Sequence, residues 1–239
     1  MNTIGNRLQD ILARIHSLES SSYYKQKVNL LAVSKAQSSK AVREAFLSGQ
    51  TMFGENYLQE ALEKQAELSD LAIEWHFIGP IQSNKTQLIA QNFAWVHSID
   101  RLKIAQRLND ARPEHLAPLQ ACIQVNTSYE DTKSGVTPHE LEALAFAIAK
   151  MPRLKLRGLM SIPEPSADYN KQRDQFKQVR ECYDTLLVKG FALDTLSIGM
   201  SDDYPAAIEE GSTIVRIGSA LFGARNYDIK DASARIDNS

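Results

Sequence analysis

The sequence is poor in cysteine, with only Cys122 and Cys182 among its 239 residues. Neither belongs to a C-x-x-C pair or lies near a histidine at the spacing of metal ligands. Two such cysteines exclude a disulfide framework, so we expect a reducing compartment and a cytoplasmic protein. No stretch approaches the ~20 apolar residues that span a membrane. The N-terminus, MNTIGNRLQDILARI, does not resemble a secretory signal.

The chain also lacks an excess of charge of either sign. Its 27 Lys and Arg residues and 29 Asp and Glu residues leave a formal net charge of -2. This balance gives no global field that would favour nucleic acid or an anionic membrane surface, so we expect neither as a partner. The sequence has no H-E-x-x-H zinc motif, no Walker phosphate loop and no G-x-S-x-G nucleophile motif.

Regular apolar patterns, in contrast, run through most of the chain. A helical stripe of apolar residues opens the sequence between positions 3 and 19. Short apolar runs then alternate with amphipathic segments, and each run but the last precedes a predicted helix, which indicates parallel strands. The eight predicted strands cover residues 28–34, 51–55, 73–79, 94–99, 120–126, 154–162, 195–200 and 213–223.

Eight βα units can close as a barrel or lie open as a doubly wound sheet, and the count of eight favours the barrel. One such barrel typically needs ~250 residues, so it would use nearly the whole chain. We therefore predict an α/β fold: a single (β/α)8 TIM barrel with an extra N-terminal helix. We expect one domain over residues 1–239, with its core at about 4–227 and a polar tail beyond Asn226.

A lysine ends the first predicted strand. In TIM barrels the functional residues lie at the C-terminal ends of the strands, so we expect Lys35 to point into the mouth of the barrel. Apolar surroundings favour the neutral amine of a lysine, which Schiff-base chemistry requires. Lysines at strand ends also commonly reach water, and position alone favours that simpler interpretation.

The segments after the seventh and eighth strands could hold a phosphate together. Ser201 lies where a helix begins, and Gly218 and Ser219 offer backbone amides and a hydroxyl after the last strand. Phosphate sites of TIM barrels commonly occupy these two loops. The alternative is an ordinary helix cap by Ser201, Asp202 or Asp203. The two aspartates disfavour a phosphate unless their carboxylates turn aside.

Three further strand ends carry candidate binding residues. Arg216 shares the inward face of the eighth strand, although a buried arginine could equally pair with Glu209 or Glu210. Asn56 ends the second strand, where the alternative role is a helix cap. Met160 ends the sixth strand. His76 and His97 have no partner acid or nucleophile at a recognisable spacing, and the sequence assigns them no role.

Taken together, these segments resemble the pyridoxal phosphate homeostasis protein family, whose members look like the barrel half of alanine racemase. The resemblance runs from about residue 4 to residue 227, in the order of the family. Its combination of motifs is specific, although no single motif is. The matching segments are AVSK ending at Lys35, FGENYLQE, WHFIGPIQSNK, RGLM around Met160, LSIGMSDDYPAAI and GSTIVRIGSALFGAR.

The resemblance implies a role for each matching residue. Lys35 would carry pyridoxal 5′-phosphate through an aldimine, and Ser201, Gly218 and Ser219 would hold its phosphate. Arg216 would approach the pyridine nitrogen. An arginine acts there as a hydrogen-bond donor, which leaves the ring a weaker electron sink than a carboxylate would.

The family implies a cytoplasmic, monomeric binding protein that acts in vitamin B6 cofactor homeostasis as a carrier, buffer or regulator, without robust catalysis. Apo pyridoxal-phosphate enzymes are its expected partners. The length of the chain also leaves no room for the second domain with which alanine racemase supplies a catalytic tyrosine. Two alternatives remain open. One is an enzyme, either a minimal racemase or lyase acting on amino acids or a cofactor-free Schiff-base aldolase; the other is an interaction scaffold.

Overall fold

A computed structural model describes residues 3–127 and 134–223 of the chain. Eight parallel strands close into one barrel in sequence order, so the predicted fold class is confirmed. The strands are β1 (Asn29–Val33), β2 (Met52–Glu55), β3 (Glu74–Phe77), β4 (Trp95–Ile99), β5 (Leu119–Gln124), β6 (Leu154–Met160), β7 (Thr195–Met200) and β8 (Ile214–Ile217). The helices are α1 (Ile4–Ser21), α2 (Ser39–Leu47), α3 (Leu58–Glu67), α4 (Thr86–Asn92), α5 (Leu102–Ala111), α6 (Pro138–Ala149), α7 (Tyr169–Val188), α8 (Tyr204–Glu209) and α9 (Ser219–Phe222).

The predicted N-terminal helix is present as α1 and packs on the outside of the barrel. The hydroxyl of Thr3 accepts the backbone N–H of Asn6 at 3.2 Å and so caps the first turn. The buried stripe faces α2, α8 and α9. Each buried aliphatic side chain contributes roughly 1.5–3 kcal/mol relative to an exposed one. The buried residues of α1 are Ile4, Leu8, Ile11 and Ile15.

The strands are covered on both faces, which explains why they read as short continuous apolar runs rather than as alternating patterns. In β4 all five residues are buried. The exception to this apolar character is a polar layer inside the barrel, formed by residues of two pairs of neighbouring strands, β3 with β4 and β7 with β8. Its members are His76 of β3, His97 of β4, Ser197 of β7 and Arg216 of β8.

The predicted end of the eighth strand, at residue 223, is wrong. β8 stops at Ile217, and Ser219–Phe222 form the short helix α9, so the last strand is also followed by a helix. Leu221 and Phe222 are buried in this helix. A short apolar run does not distinguish a buried strand from a buried helical turn, which is why the sequence extended the strand. The predicted polar tail beyond Asn226 lies outside the described residues.

Within the described parts of the chain, no helix combines the length and the apolar character needed to cross a membrane.

Gly158 lies where the backbones of β6 and β7 approach closely. It pairs with Thr195 across β6 and β7. A Cβ built on Gly158 would lie 1.6 Å from the carbonyl oxygen of Thr195, which is backbone and has no rotamer to change. Glycine at this position therefore allows β6 and β7 to pair at their normal spacing.

We expect Gly158→Ala to lower the free energy of unfolding by about 3 kcal/mol, because the added methyl group forces β6 and β7 apart. Urea denaturation measures this loss. Gly5→Ala is the matched control: its new Cβ meets the movable hydroxyl of Ser48. In helix α1 that change should be neutral or stabilising by up to ~1 kcal/mol. Equal stabilities of the two variants would contradict this account of Gly158.

Candidate functional site

A cavity of about 220 Å³ opens at the C-terminal end of the barrel and is called here the C-terminal cavity. Its apolar wall comes from Val33, Ile78, Ile162 and Met200, which the sequence analysis did not single out. The structure brings six of the seven predicted site residues to its lining. They are Lys35, Asn56, Ser201, Arg216, Gly218 and Ser219.

Met160 is the predicted site residue that the structure places elsewhere. Its side chain is 1% exposed and packs with Trp95 and Cys122 in a separate small core cluster. The next residue, Ser161, contributes its backbone carbonyl to the site through Arg216. Met160 therefore lies beneath the site rather than in its lining.

Lys35 lies in a tight turn directly after β1. The turn runs from Ser34 to Gln37 and is closed by a 3.0 Å hydrogen bond from the Gln37 N–H to the Ser34 carbonyl. Ala36, its third residue, has φ 56° and so lies in the left-handed region. For a residue other than glycine this conformation costs roughly 1–2 kcal/mol. The turn therefore needs support from its surroundings, and it sets the direction of the Lys35 side chain.

The two predicted phosphate-binding segments meet at one side of the cavity. The hydroxyl of Ser219 donates to that of Ser201 at 3.3 Å. Gly199, the second-last residue of β7, has φ 91°, and a Cβ there would lie 2.6 Å from the Cβ of Ala207. Glycine at this position therefore allows the backbone to turn from the strand into the helix. This turn brings Ser201 to the cavity.

The two aspartates after Ser201 behave differently from each other. Asp203 is turned back, because its Oδ1 accepts the N–H of Met200 at 2.6 Å. Burial raises the pKa of Asp203, with the Met200 N–H and the charge of Arg216 acting in the opposite direction. Asp202 is exposed and lines the cavity. The alternative role as an ordinary helix cap is not found at α8. Its N-cap residue is Asp203, and the side chain of Asp203 makes no capping hydrogen bond.

Arg216 is buried, and no carboxylate of residues 3–127 or 134–223 forms an ion pair with it. One guanidinium nitrogen, Nη1, donates to the carbonyl of Ser197 at 2.5 Å and to its hydroxyl at 2.9 Å. The other, Nη2, donates to the carbonyl of Ser161 at 2.9 Å. Burial lowers the pKa of Arg216 to about 10, so the guanidinium stays charged at neutral pH. The alternative pairing with Glu209 or Glu210 does not occur, since both of these carboxylates pair with Arg173.

From Arg216 a row of hydrogen bonds crosses the barrel interior; we call these residues the histidine chain. The Ser197 hydroxyl lies 2.9 Å from His97 Nδ1. His97 Nε2 lies 2.9 Å from His76 Nδ1, and His76 Nε2 lies 2.9 Å from Glu74 Oε1. The sequence did not predict the histidine chain because its longest link, between His97 and Ser197, joins residues 100 positions apart.

The two ends of the histidine chain assign its protons. Arginine only donates and an ionised carboxylate only accepts, so each residue between them donates toward Glu74. This assignment places one proton on the Nε2 atom of each imidazole and leaves both rings neutral. Burial agrees with it: desolvation lowers the pKa of His76, and lowers the pKa of His97 well below the usual histidine value.

The N-terminal end of the barrel holds a larger cavity of about 680 Å³, lined among others by Glu74, Trp95, Arg157 and Asp194. Arg157 lies over the Trp95 ring at 4.8 Å and pairs with Asp194 at 2.6 Å. None of the predicted site residues reaches this cavity. Because TIM barrels place their sites at the opposite face, we assign the functional site to the smaller C-terminal cavity.

The closed barrel, the lysine after β1 and the paired loops after β7 and β8 define a known class of protein. Residues 7–226 match the family described as alanine racemase, N-terminal domain. The structure of an alanine racemase from Clostridium difficile is similar with a TM-score of 0.72 at 16% identity. The alignment includes 92% of this chain and 60% of the racemase chain. At this identity the likeness concerns the fold alone.

More similar proteins narrow the class. A pyridoxal phosphate homeostasis protein from Pseudomonas aeruginosa is 57% identical over 95% of this chain and 98% of its own length. Another pyridoxal phosphate homeostasis protein, from Escherichia coli, is 51% identical over 86% of this chain and 89% of its own length. The structure of PipY from Synechococcus elongatus with PLP bound is 35% identical, with a TM-score of 0.83 over 92% of this chain and 100% of that chain. This chain belongs to the pyridoxal phosphate homeostasis protein family, as its motifs predicted.

The neutral histidines lead to a prediction about stability and pH. Both pKa values are lower in the folded protein than the ~6.5 of an unfolded chain, so below that pH the unfolded state binds more protons. We expect each ring to remove up to ~1.4 kcal/mol of stability per pH unit as the pH falls from about 7 to 5. The measurement is denaturant unfolding across this range.

The comparison protein is the double variant His76→Gln, His97→Gln, in which the amides can donate and accept in the same row. Its stability should fall less steeply with acid than that of the original protein. His16→Gln is the control, since His16 is exposed on α1 and its removal should leave the slope unchanged. An unchanged slope in the double variant would show that the buried rings are not the neutral pair assigned above.

Proposed function

We propose that this protein binds pyridoxal 5′-phosphate in the C-terminal cavity and acts in vitamin B6 cofactor homeostasis as a carrier, buffer or regulator. The observation that carries the proposal is the meeting of Lys35, Asn56, Ser201, Arg216 and the Gly218-Ser219 turn around one cavity. Relatives that align along nearly the whole chain are named for pyridoxal phosphate homeostasis, and the structure of PipY has PLP bound.

The residues present fit this cofactor chemically. The Oδ1 atom of Asn56 is buried and has no hydrogen-bond partner within the described residues, so it is available to a donor group of a ligand. Ser201 and Ser219 place two hydroxyls 3.3 Å apart. Charge-assisted hydrogen bonds to a phosphate contribute roughly 1.5–3 kcal/mol each. The wall of Ile78 and Ile162 suits the faces of an aromatic ring.

We further propose that Lys35 holds the cofactor covalently as an aldimine. The neutral ε-amino nitrogen of Lys35 would form the bond to the aldehyde carbon of the cofactor, and the aldehyde oxygen would leave as water. The chemistry that pyridoxal phosphate supplies when bound is this reactive aldehyde on an electron-withdrawing ring. The first turn beyond β1 supports the assignment, because it brings the Lys35 side chain to the cavity.

Arg216 acts in this proposal as a donor toward the pyridine nitrogen. Three of its five N–H groups donate to Ser197 and Ser161, and the other two have no acceptor among the described residues, while Arg216 itself lines the cavity. A charged donor keeps the ring nitrogen unprotonated, so the ring withdraws electrons less strongly. That property suits holding a cofactor better than transforming amino acids on it.

The positions of two tyrosines also support a binding role. Tyr57 and Tyr204 are the tyrosines near the mouth that could serve as a catalytic base in a small racemase. Tyr57 is 55% exposed, and Tyr204 is buried with Arg14 over its ring at 5.9 Å. Burial raises the pKa of Tyr204, which makes it a poor base at neutral pH.

We also propose that the protein works as a monomer in the cytoplasm and that apo pyridoxal-phosphate enzymes receive its cofactor. Both cysteines are free thiols, Cys122 buried and Cys182 partly so. Burial raises the pKa of Cys122 to about 12, which makes this thiol inert.

Reduction with borohydride should fix a pyridoxyl group on Lys35, because the reagent converts the carbon–nitrogen double bond into a stable amine. Peptide mapping by mass spectrometry locates the label. Lys35→Ala should abolish the visible absorbance of the bound cofactor, whereas Lys85→Ala, at an exposed position, should leave it unchanged. Label found mainly on Lys85 or Lys133 would refute the assignment to Lys35.

The carrier role predicts transfer without turnover. Loaded protein mixed with an apo pyridoxal-phosphate enzyme should restore that enzyme's activity, and Lys35→Ala protein treated in the same way should not. Free cofactor at the same concentration is the reference. In a second assay, each common amino acid is incubated with loaded protein in deuterium oxide, and we expect no robust exchange of the α-proton.

The two assays distinguish the alternatives. Robust exchange that is lost in Tyr57→Phe or Tyr204→Phe would replace the carrier by a small racemase-like enzyme. Failure to restore the apo enzyme, with cofactor still bound at Lys35, would exclude delivery and leave a buffer or sensor. A protein that binds no cofactor at all would contradict the proposed function and favour a scaffold or a cofactor-free aldolase.

A further inference from the structure

A buried ionic cluster lies directly beneath the turn that carries Lys35; we call it the Lys64 cluster. Lys64 is 4% exposed on α3, and its ammonium donates to Glu55 at 2.8 Å, to Glu60 at 2.6 Å and to the carbonyl of Ser34 at 2.6 Å. These three acceptors use all three N–H groups of the ammonium. The cluster is therefore a saturated and fixed arrangement.

The cluster holds the peptide groups on both sides of Lys35. Before the lysine, the Ser34 carbonyl accepts from Lys64 and the Ser34 hydroxyl donates to Glu55 Oε1 at 2.6 Å. After the lysine, the Ala36 N–H donates to Glu60 Oε1 at 2.7 Å. The same Glu60 oxygen accepts from Lys64, so one carboxylate links the buried ammonium to the backbone of the turn.

The contact with Ala36 matters because of the conformation of that residue. Ala36 has φ 56°, a left-handed conformation that alanine avoids unless it is held there. The Glu60 carboxylate accepts the one backbone N–H of this residue and so favours the left-handed state. Without the contact, Ala36 is free to relax to negative φ. That rotation would turn the preceding peptide and move the Lys35 side chain away from the cavity.

We propose that Glu60, supported by Lys64, is a positioning residue that directs the Lys35 amine toward the cofactor aldehyde. This inference rests on the proposed function, because it takes Lys35 as the residue that forms the covalent bond. Glu60 acts through the backbone of Ala36 and holds neither the phosphate nor the ring. It should therefore control the rate of covalent attachment without changing the affinity for the rest of the cofactor.

The test separates covalent attachment from non-covalent binding. The rate of attachment is followed by stopped-flow absorbance after apo protein is mixed with pyridoxal 5′-phosphate. Affinity is measured by calorimetry with pyridoxine 5′-phosphate, which keeps the ring and the phosphate but has an alcohol in place of the aldehyde. Glu60→Ala should slow attachment by about tenfold or more, because a misdirected amine reaches the aldehyde less often. Its affinity for pyridoxine 5′-phosphate should stay within about twofold of the original.

Two further variants serve as rescue and control. Glu60→Gln keeps an oxygen that can accept the Ala36 N–H, so it should attach the cofactor within about threefold of the original rate. Glu63→Ala removes an exposed glutamate from the same helix and should change neither quantity. Attachment at the original rate in Glu60→Ala would overturn the proposal. So would an affinity for pyridoxine 5′-phosphate that falls as much as the rate, because Glu60 would then support the whole site.

A measurement without cofactor keeps this inference distinct from the proposed function. Hydrogen exchange of the Ala36 amide should be about tenfold or more faster in Glu60→Ala than in the original protein or in Glu60→Gln. If the original protein forms no bond at Lys35, the proposed function fails, whatever this exchange shows. If the bond forms but the Ala36 amide exchanges equally fast in all three proteins, the positioning role of Glu60 fails alone.

Discussion

The charge of Arg216 inside the barrel is the constraint on which the rest of the site depends. Removing a guanidinium from water costs several kcal/mol unless every donor finds an acceptor. Here the acceptors are two backbone carbonyls and a hydroxyl, which the ends of β6 and β7 supply through Ser161 and Ser197. These acceptors carry no net charge and satisfy three of the five donors, so they do not neutralise the cation. Among the described residues, Asp203 acts on the guanidinium through its charge without forming an ion pair with it. An anionic, acceptor-rich ligand in the C-terminal cavity therefore gains from the remaining donors and from a charge that no carboxylate contacts within this part of the chain.

The two basic side chains of the site, Arg216 and Lys35, are supported in opposite ways. Arg216 is fixed by neutral groups within the barrel, whereas the turn of Lys35 is fixed by the ions of the Lys64 cluster between β1, β2 and α3. Neutral support leaves the full electrostatic field of the guanidinium available to a ligand. Ionic support beneath the lysine turn acts on the peptide groups on both sides of Lys35. In the proposed function, the site would thus combine a fixed charge with a directed amine.

Sequence patterns predicted the barrel and six of the residues that line the C-terminal cavity for one physical reason: the C-terminal ends of parallel strands converge. Lys35, Ser201 and Ser219 stand at three strand ends far apart in sequence, and closure of the barrel brings them together without further information. The histidine chain and the Lys64 cluster were not predicted, because their partners are chosen by side-chain direction across the barrel or between a helix and a strand. Met160 shows the same limit, since a strand end alone does not tell whether a side chain faces the cavity or the core.

The direction of the histidine chain has a consequence for the interior of the barrel. Four links join Arg216 to Glu74, and each contains one proton held between two heavy atoms. Because all four point the same way, their dipoles add, and the interior is polarised along a line between its two faces. A proton added to either imidazole would make that ring donate at both ends and interrupt the alignment. The barrel core is therefore compatible with one arrangement of these four protons. Arg216 and Glu74, which are far apart in sequence, fix that arrangement from the two ends of the histidine chain.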